Sequence, residues 1–251
     1  MDSQRDHAIL QHLQQAGSAR TTTLARALGV SGETVRRHLA GLAARGLVAK
    51  THGGAHLVER ASEPSFAQRM AHNPEAKRRI ARAAARLVPD GAALFLDVGS
   101  TTAYVAQALQ GKRDLLVVTN SLAVAHALVG RGGNRVFMAG GELRAHDGGA
   151  FGAEALAFVE QFRLDLAVLS VAAIHPQAGF LLQDLREAEF ARAMMARAGA
   201  SLVVADAEKF DRLAPIRLAE ATDIARLVTD AAPPAGLAEM LQAAGVEVTL
   251  A

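Results

Sequence analysis

Two stretches of this 251-residue chain hold residue types suited to gripping phosphate, each by a different chemistry. Within positions 31–38 stand Ser31, Glu33, Thr34, Arg36, Arg37 and His38. A guanidinium can pair bidentately with guanine in the major groove, or hold a backbone phosphate and fix register. The second stretch, Asp97-Val98-Gly99-Ser100-Thr101-Thr102, has no cation. There glycine lets backbone N–H groups approach an anion, hydroxyls donate, and the start of a following helix adds partial positive charge. Similar tips recur at Thr119-Asn120-Ser121 and at Gly140-Gly141, followed by Glu142-Leu143-Arg144, while Lys209 could add a charge after a later apolar run. If these tips converge, Asp97, Gly99, Ser100, Thr101, Thr102, Asn120, Ser121, Gly140, Gly141, Arg144 and Lys209 form a pocket for a small phosphorylated metabolite. Asp97 has a plainer alternative, a strand-end carboxylate that caps backbone amides.

The arginine pair needs a helix that buries its back. Residues 4–16 read as an amphipathic helix with Ile9, Leu10 and Leu13 on one face, and Gly17 and Ser18 end it. Thr21–Thr23 can cap a short helix, Gly29 permits a tight turn, and Ser31 is a good N-cap. Val35, Leu39 and Leu42 then form one apolar stripe, with Arg36, Arg37 and His38 mainly on other faces. Leu47–Lys50 and Ala55–Val58 flank His52-Gly53-Gly54 as a hairpin. Helix, turn, second helix and hairpin in this order form a winged helix-turn-helix. Its DNA contacts are expected from Ser31, Glu33, Thr34, Arg36, Arg37, His38, Lys50, His52 and Gly53.

The phosphate-type tips need strands that end together. Short apolar runs at Ala92–Leu96, Leu115–Val118, Arg135–Met138, Leu164–Leu169, Ser201–Val204 and Ala225–Val228 alternate mostly with helical patterns. That alternation predicts a mostly parallel α/β sheet, which binds ligands at the carboxyl ends of its strands. The expected organisation is a DNA-binding domain over 1–58, a linker over 59–74 containing Pro64 and Pro74, and a sensing and oligomerisation domain over 75–251.

Composition agrees. Residues 1–60 hold eight Lys/Arg against four Asp/Glu, a balance of +4, and the remainder holds 19 against 21, a balance of −2. A basic head on a slightly acidic body suits nucleic-acid binding. The chain has no cysteine, which excludes disulfides and thiolate chemistry, and no signal-peptide or membrane-spanning pattern. A cytoplasmic location with no cofactor and no metal is expected.

The segment Val30-Ser31-Gly32-Glu33-Thr34-Val35-Arg36-Arg37-His38-Leu39, followed by His52-Gly53-Gly54-Ala55, resembles the head of DeoR-family repressors. The family usually has aspartate where His38 stands, which bears on operator preference. The effector tips resemble that family's second domain, which is similar in fold to ribose-5-phosphate isomerase and CoA-transferases. The isomerases carry an acid-rich motif for proton transfer after a corresponding strand. Here Leu164–Leu169 runs into Ser170-Val171-Ala172-Ala173-Ile174 without a carboxylate, so an enzyme is not expected and no catalytic residue is assigned. Within the family, Gly140–Arg144, Asp147-Gly148-Gly149, Gln161–Asp165 and Thr229–Pro234 resemble the glycerol-3-phosphate regulon repressors. The resemblance implies a repressor that is a homo-oligomer, dimer or tetramer, binds double-stranded operator DNA and is released by glycerol 3-phosphate or another sugar phosphate.

Overall fold

The computed structural model describes Arg5, Asp6, Ile9, His12, Leu13 and residues 18–44, 48–51, 53–57 and 64–251. The chain forms two compact units, Met1–Pro64 and Ser65–Ala251.

In the first unit, β1 (Ser18–Arg20) leads into α1 (Thr21–Leu28), and Gly29 ends that helix at φ 64°. Gly29 N–H turns back to Arg26 O at 3.4 Å and Val30 N–H to Ala25 O at 3.1 Å, which closes the helix end. Ser31 caps α2 (Gly32–Ala44) by accepting from Thr34 N–H at 3.2 Å. Val35, Leu39 and Leu42 bury their stripe against Ile9, Leu13, Leu24, Val48 and Ala55. β2 (Val48–Thr51) and β3 (Gly54–Leu57) make the hairpin, and β1 adds to it in the antiparallel order β1-β3-β2. β1 was not expected, because Ser-Ala-Arg carries no alternation to read. Leu10, Gly17, Leu47, His52 and Val58, which entered the sequence reading, lie outside the described residues.

Two adjacent glycines fit the wing to the helices for different reasons. Gly53 takes φ 91°, a left-handed turn conformation, and its carbonyl accepts from Thr21 N–H at 2.8 Å. Gly54 lies where β1 crosses, and a Cβ there would stand 2.3 Å from Ala19 O.

The second unit begins earlier than expected. Residues 65–74 are not linker: Ser65 caps α3 (Phe66–Ala71) in a capping box with Gln68, and α4 (Pro74–Arg86) follows almost at once. The two prolines mislead as breakers, because Pro74 occupies the first helical turn, where its missing N–H costs nothing. Then come β4 (Ala93–Leu96), α5 (Ser100–Ala108), β5 (Leu116–Thr119), α6 (Leu122–Leu128), β6 (Arg135–Met138), α7 (Ala153–Val159) and β7 (Leu164–Ser170). β8 (Ala173–His175), β9 (Gly179–Leu182), α8 (Leu185–Met195), β10 (Ala198–Val204), β11 (Ile216–Ala219), β12 (Arg226–Thr229), α9 (Ala235–Ala243) and β13 (Glu247–Leu250) complete it.

Seven strands form one parallel sheet in the order β13-β12-β10-β7-β4-β5-β6. One face packs on Ile80, Tyr104, Val105, Val124 and Leu128 of α4, α5 and α6. The other packs on Val159, Phe190, Met194, Leu237 and Leu241 of α7, α8 and α9. This is the expected α/β layering around a mostly parallel sheet. A small antiparallel sheet, β11-β9-β8, branches off after β7. No helix among the described residues is long and apolar enough to cross a membrane.

The Gly54 contact gives a direct test. In Gly54→Ala, the new methyl meets main-chain atoms that cannot rotate away. Amide protection over 18–20 and 54–57 is expected to fall while the strands of the second unit keep theirs. Wild-type protection across β1 and β3 would contradict the close approach.

Candidate functional site

On α2, Ser31, Glu33, Arg36 and Arg37 are exposed and Thr34 is half-buried. The Ser31 and Thr34 hydroxyls lie 2.9 Å apart. Arg36 donates to Glu33 at 3.1 Å; both side chains are exposed, so the pair contributes only about 0–1 kcal/mol and yields readily to a phosphate. Lys50 on β2 and Gly53 at the wing tip are exposed as well, and His52 lies outside the described residues.

His38 corrects the expectation. It is buried, and its Nδ1 stands 2.7 Å from Asp6 Oδ1. Position 38 lies three residues after Val35 and four before Leu42, so it shares their face and points into the unit. Asp6 meets it there. The histidine therefore joins the N-terminal segment to α2 and takes no part in a DNA-facing surface.

In the second unit the sheet reverses direction between β4 and β7. The chain runs outward through β4, β5 and β6, then returns to β4's other side and continues through β7, β10, β12 and β13. The connections after β4 and β7 part there, and such a switch point is where open parallel sheets bind ligands. The tips of β4 and β5 interlock: Val98 N–H donates to Asn120 Oδ1 at 3.0 Å and to Asp97 Oδ1 at 2.8 Å. Thr119 Oγ1 donates to Leu96 O at 2.7 Å. Asn120 is fully buried, and its Nδ2 has no hydrogen-bond partner. Ser121 is spent locally, as the cap that accepts from Val124 N–H.

Gly99 precedes α5, and a Cβ there would stand 2.2 Å from Ser170 Oγ at the tip of β7. Ser170 Oγ in turn donates to Val98 O at 3.2 Å, which closes the gap between the diverging strands. Ser100 and Thr101 are nearly buried on the first turn of α5, where the opening N–H groups have no intrahelical acceptor. Thr102 differs: its hydroxyl donates to Gly99 O at 3.0 Å and serves the turn itself.

Arg144 is placed differently from a free anion ligand. Its guanidinium donates to both oxygens of Asp147, at 3.0 and 2.5 Å, and to Glu187, with Asp184 at 3.6 Å. It lies 4.4 Å over the Phe151 ring. Burial opposes its charge, yet Asp147 and Glu187 hold it protonated, above an already high value. Burial likewise pushes Asp147 up, but the hydrogen bond from Arg144 prevails and its carboxyl lies below the usual range. At Asp97 burial first, then the Glu187 charge, raise the carboxyl well above the usual range; the Val98 N–H bond and the Arg144 charge pull downward but do not prevail. Gly140 and Gly141 are exposed beyond β6, and Gly141 lies against the Phe151 main chain, where a Cβ would stand 3.6 Å from its carbonyl oxygen. Lys209 is half-buried on a single 3-10 turn, Ala207–Lys209, after β10, beyond β7 on the same sheet edge.

Sequence reasoning missed Ser170, Glu187 and Asp184. For the carboxylates a signal exists: Asp184 followed by Glu187 is an N-cap and its third helical position, and Asp184 accepts from Arg186 and Glu187 N–H. Among the described residues, no three His, Asp or Glu side chains are grouped to hold a metal ion.

A sequence profile of the DeoR-like helix-turn-helix domain matches residues 5–61, and one of the DeoR C terminal sensor domain matches residues 72–231. The HTH-type transcriptional repressor CsqR of Escherichia coli is 37% identical over 246 residues, 98% of this chain and 94% of that protein. The glycerol-3-phosphate regulon repressor of Escherichia coli is 36% identical over 239 residues, 95% of each. Its namesake in Haemophilus influenzae is 38% identical over 231 residues, 92% of this chain and 90% of that protein.

His38 and Asp97, both buried, each give a direct test. His38→Asp sets a carboxylate against Asp6 and is expected to destabilise the first unit by about 1–3 kcal/mol, whereas Arg37→Ala leaves its stability nearly unchanged. Equal protection of α2 amides against exchange in the two variants would refute the buried role of His38. The second concerns pH. Asp97 holds its proton more tightly folded than unfolded. Its contribution is therefore complete below the ordinary carboxylate range and is lost as pH rises through its raised value. Asp97→Asn keeps an acceptor for Val98 N–H and removes the ionisation. From about pH 4 to about pH 8, its melting temperature is expected to gain on wild type; a constant difference would show that Asp97 ionises freely.

Proposed function

The chain belongs to the DeoR family, and on that premise we propose that it is a cytoplasmic transcriptional repressor released from operator DNA by a small phosphorylated metabolite, with glycerol 3-phosphate the first candidate. The observation that carries the reading is the tip of α5. Gly99, Ser100 and Thr101 put a helix N-terminus and two hydroxyls at the switch point, beside an unpartnered buried Asn120 amide. A phosphate fits such a tip without a cation, because the converging N–H dipoles supply the positive potential.

The surrounding charges narrow the ligand. Asp97, Asp147 and Glu187 are buried near one another, and the guanidinium among them is already engaged. Asp147 and Glu187 share the one guanidinium of Arg144, and the excess of acid accepts hydrogen bonds from hydroxyls and disfavours a second anionic group. A polyol or sugar carrying one phosphate suits this arrangement; a phosphorylated carboxylic acid does not.

At the head, α2 presents Ser31, Arg36 and Arg37 to the major groove, and the wing presents Lys50 and Gly53 to the backbone. One small head makes few contacts, so the protein works as a homo-oligomer, dimer or tetramer, that sets two heads on paired half-sites. Light scattering of the intact chain tests this, and a monomer at DNA-binding concentrations would contradict it.

Arg37→Ala is expected to weaken operator binding by about 1–3 kcal/mol if the side chain reads guanine, or to lower the salt slope by about one if it holds phosphate. Ser100→Ala with Thr101→Ala is expected to bind DNA as wild type and ignore the ligand. Calorimetry and anisotropy with glycerol 3-phosphate, a sugar phosphate and 3-phosphoglycerate settle the class, with 3-phosphoglycerate expected to bind about tenfold or more weakly. Release of the double variant at the wild-type ligand concentration would misplace the phosphate. Action by a sugar phosphate alone would keep the repressor reading and change the ligand.

A further inference from the structure

The outer face of α4 departs in charge from the unit around it. Ile80, Ala81, Ala83, Ala84 and Ala85 bury the inner face against the sheet and α5. At about 3.6 residues per turn the outer stripe is then Glu75, Arg78, Arg79, Arg82 and Arg86, and all five are exposed. α4 holds five Lys/Arg against one Asp/Glu, a balance of +4, while the rest of residues 61–251 hold 14 against 20, a balance of −6. A basic ridge thus crosses an acidic body.

Folding does not use the far end of that ridge. Arg78 is engaged by Glu75, three positions back, and Arg79 stands 3.5 Å from Asp230. Arg82 and Arg86 make no hydrogen bond or ion pair with any described residue. Arg86 lies in the last turn, where a cation suits the helix dipole; Arg82 stands mid-helix and lacks even that role. Alanine is the strongest helix former and would serve α4 as well at both positions. What the two arginines add is charge turned to the solvent.

We propose that this ridge is a second DNA contact, which grips backbone phosphates of the duplex beside the segment read by the head. The inference rests on the repressor reading above. Charge complementarity selects the partner. A guanidinium pairs bidentately with phosphate oxygens. Arg78, Arg82 and Arg86 recur about once per turn along about 12 Å of helix axis, the rise of about three to four phosphates on one strand. The balance of −6 over the rest of the unit is repelled by a polyanion, so attraction confines the approach to this face. Head and body are one chain, so a duplex held by the head is present to the body at high effective concentration, and weak surface contacts then suffice. Such contacts carry no base sequence; they add affinity and salt dependence.

The test uses the full-length protein and a duplex selected by the wild-type protein from random sequence. The duplex is made in two lengths, one trimmed to the selected site and one extended by about one helical turn on each side. Each phosphate contact is worth about fivefold in affinity at about 0.15 M salt, so Arg82→Ala with Arg86→Ala is expected to bind the extended duplex about 30-fold more weakly. The slope of log affinity against log salt should become shallower by about two, while the trimmed duplex binds as it does to wild type. Alanine preserves the helix, and light scattering should give the wild-type mass. Arg82→Lys with Arg86→Lys keeps the charges and should keep most of the affinity. Wild-type affinity and slope of the alanine variant on the extended duplex would overturn the proposal. So would a smaller assembly with equal loss on both duplexes, which would make the ridge a contact between copies of this chain. Normal binding by Arg37→Ala, with the ridge variant still weak on the extended duplex, would instead fault the head assignment and leave the ridge standing.

Discussion

The second unit depends on one topological constraint: β7 returns to lie beside β4 rather than beyond β6. Both strands are parallel and their connections leave in opposite senses, so the two tips part after Asp97 and Ser170, bridged by the Ser170 hydroxyl on Val98 O. The first turn of α5 is buried at this point, and a buried helix start retains donors that must find an acceptor. Gly99 and Ser170 show how tight the arrangement is, since the absent Cβ is the space that the serine hydroxyl occupies. The β5 tip then completes the wall through Asn120, whose carbonyl side is spent on Val98 and whose amide side is not.

The charged groups around the opening form a knot rather than a set of free ligands. Arg144 joins the loop after β6 to the first turn of α8 through Asp147, Asp184 and Glu187. Buried ion pairs add little net stability, because desolvation offsets most of their attraction, but they fix geometry strongly. Here the geometry fixed is the position of the 143–150 loop, whose Gly148 and Gly149 carbonyls accept from Leu122 and Arg144 N–H.

Much of this was legible in the sequence, and the limits have physical causes. The six main apolar runs all became strands of the parallel sheet, shifted by a few residues at most, because buried parallel strands read as short continuous runs. β8, β9 and β11 were not legible, since each is three or four residues long in a segment broken by Pro176, Gly179 and Pro215. The head's stripe of Val35, Leu39 and Leu42 was legible by period. His38 was not: a polar residue beside the stripe reads as solvent-facing until its partner Asp6, thirty-two positions away, is seen. The Gly99–Thr101 tip was readable because its chemistry is local. The engagement of Arg144 was not, because its carboxylate Glu187 comes from forty-three residues later.

The carboxylate knot also has a kinetic consequence. Residues 61–251 carry a net charge of −2, and at the proposed site the one buried guanidinium, Arg144, is shared between Asp147 and Glu187. Field lines there do not draw a phosphorylated ligand in, so capture lacks the acceleration that cationic clefts give their substrates. A sensor built this way trades speed of capture for choice. Discrimination in such a site falls to the contacts made at the helix tip and not to long-range attraction.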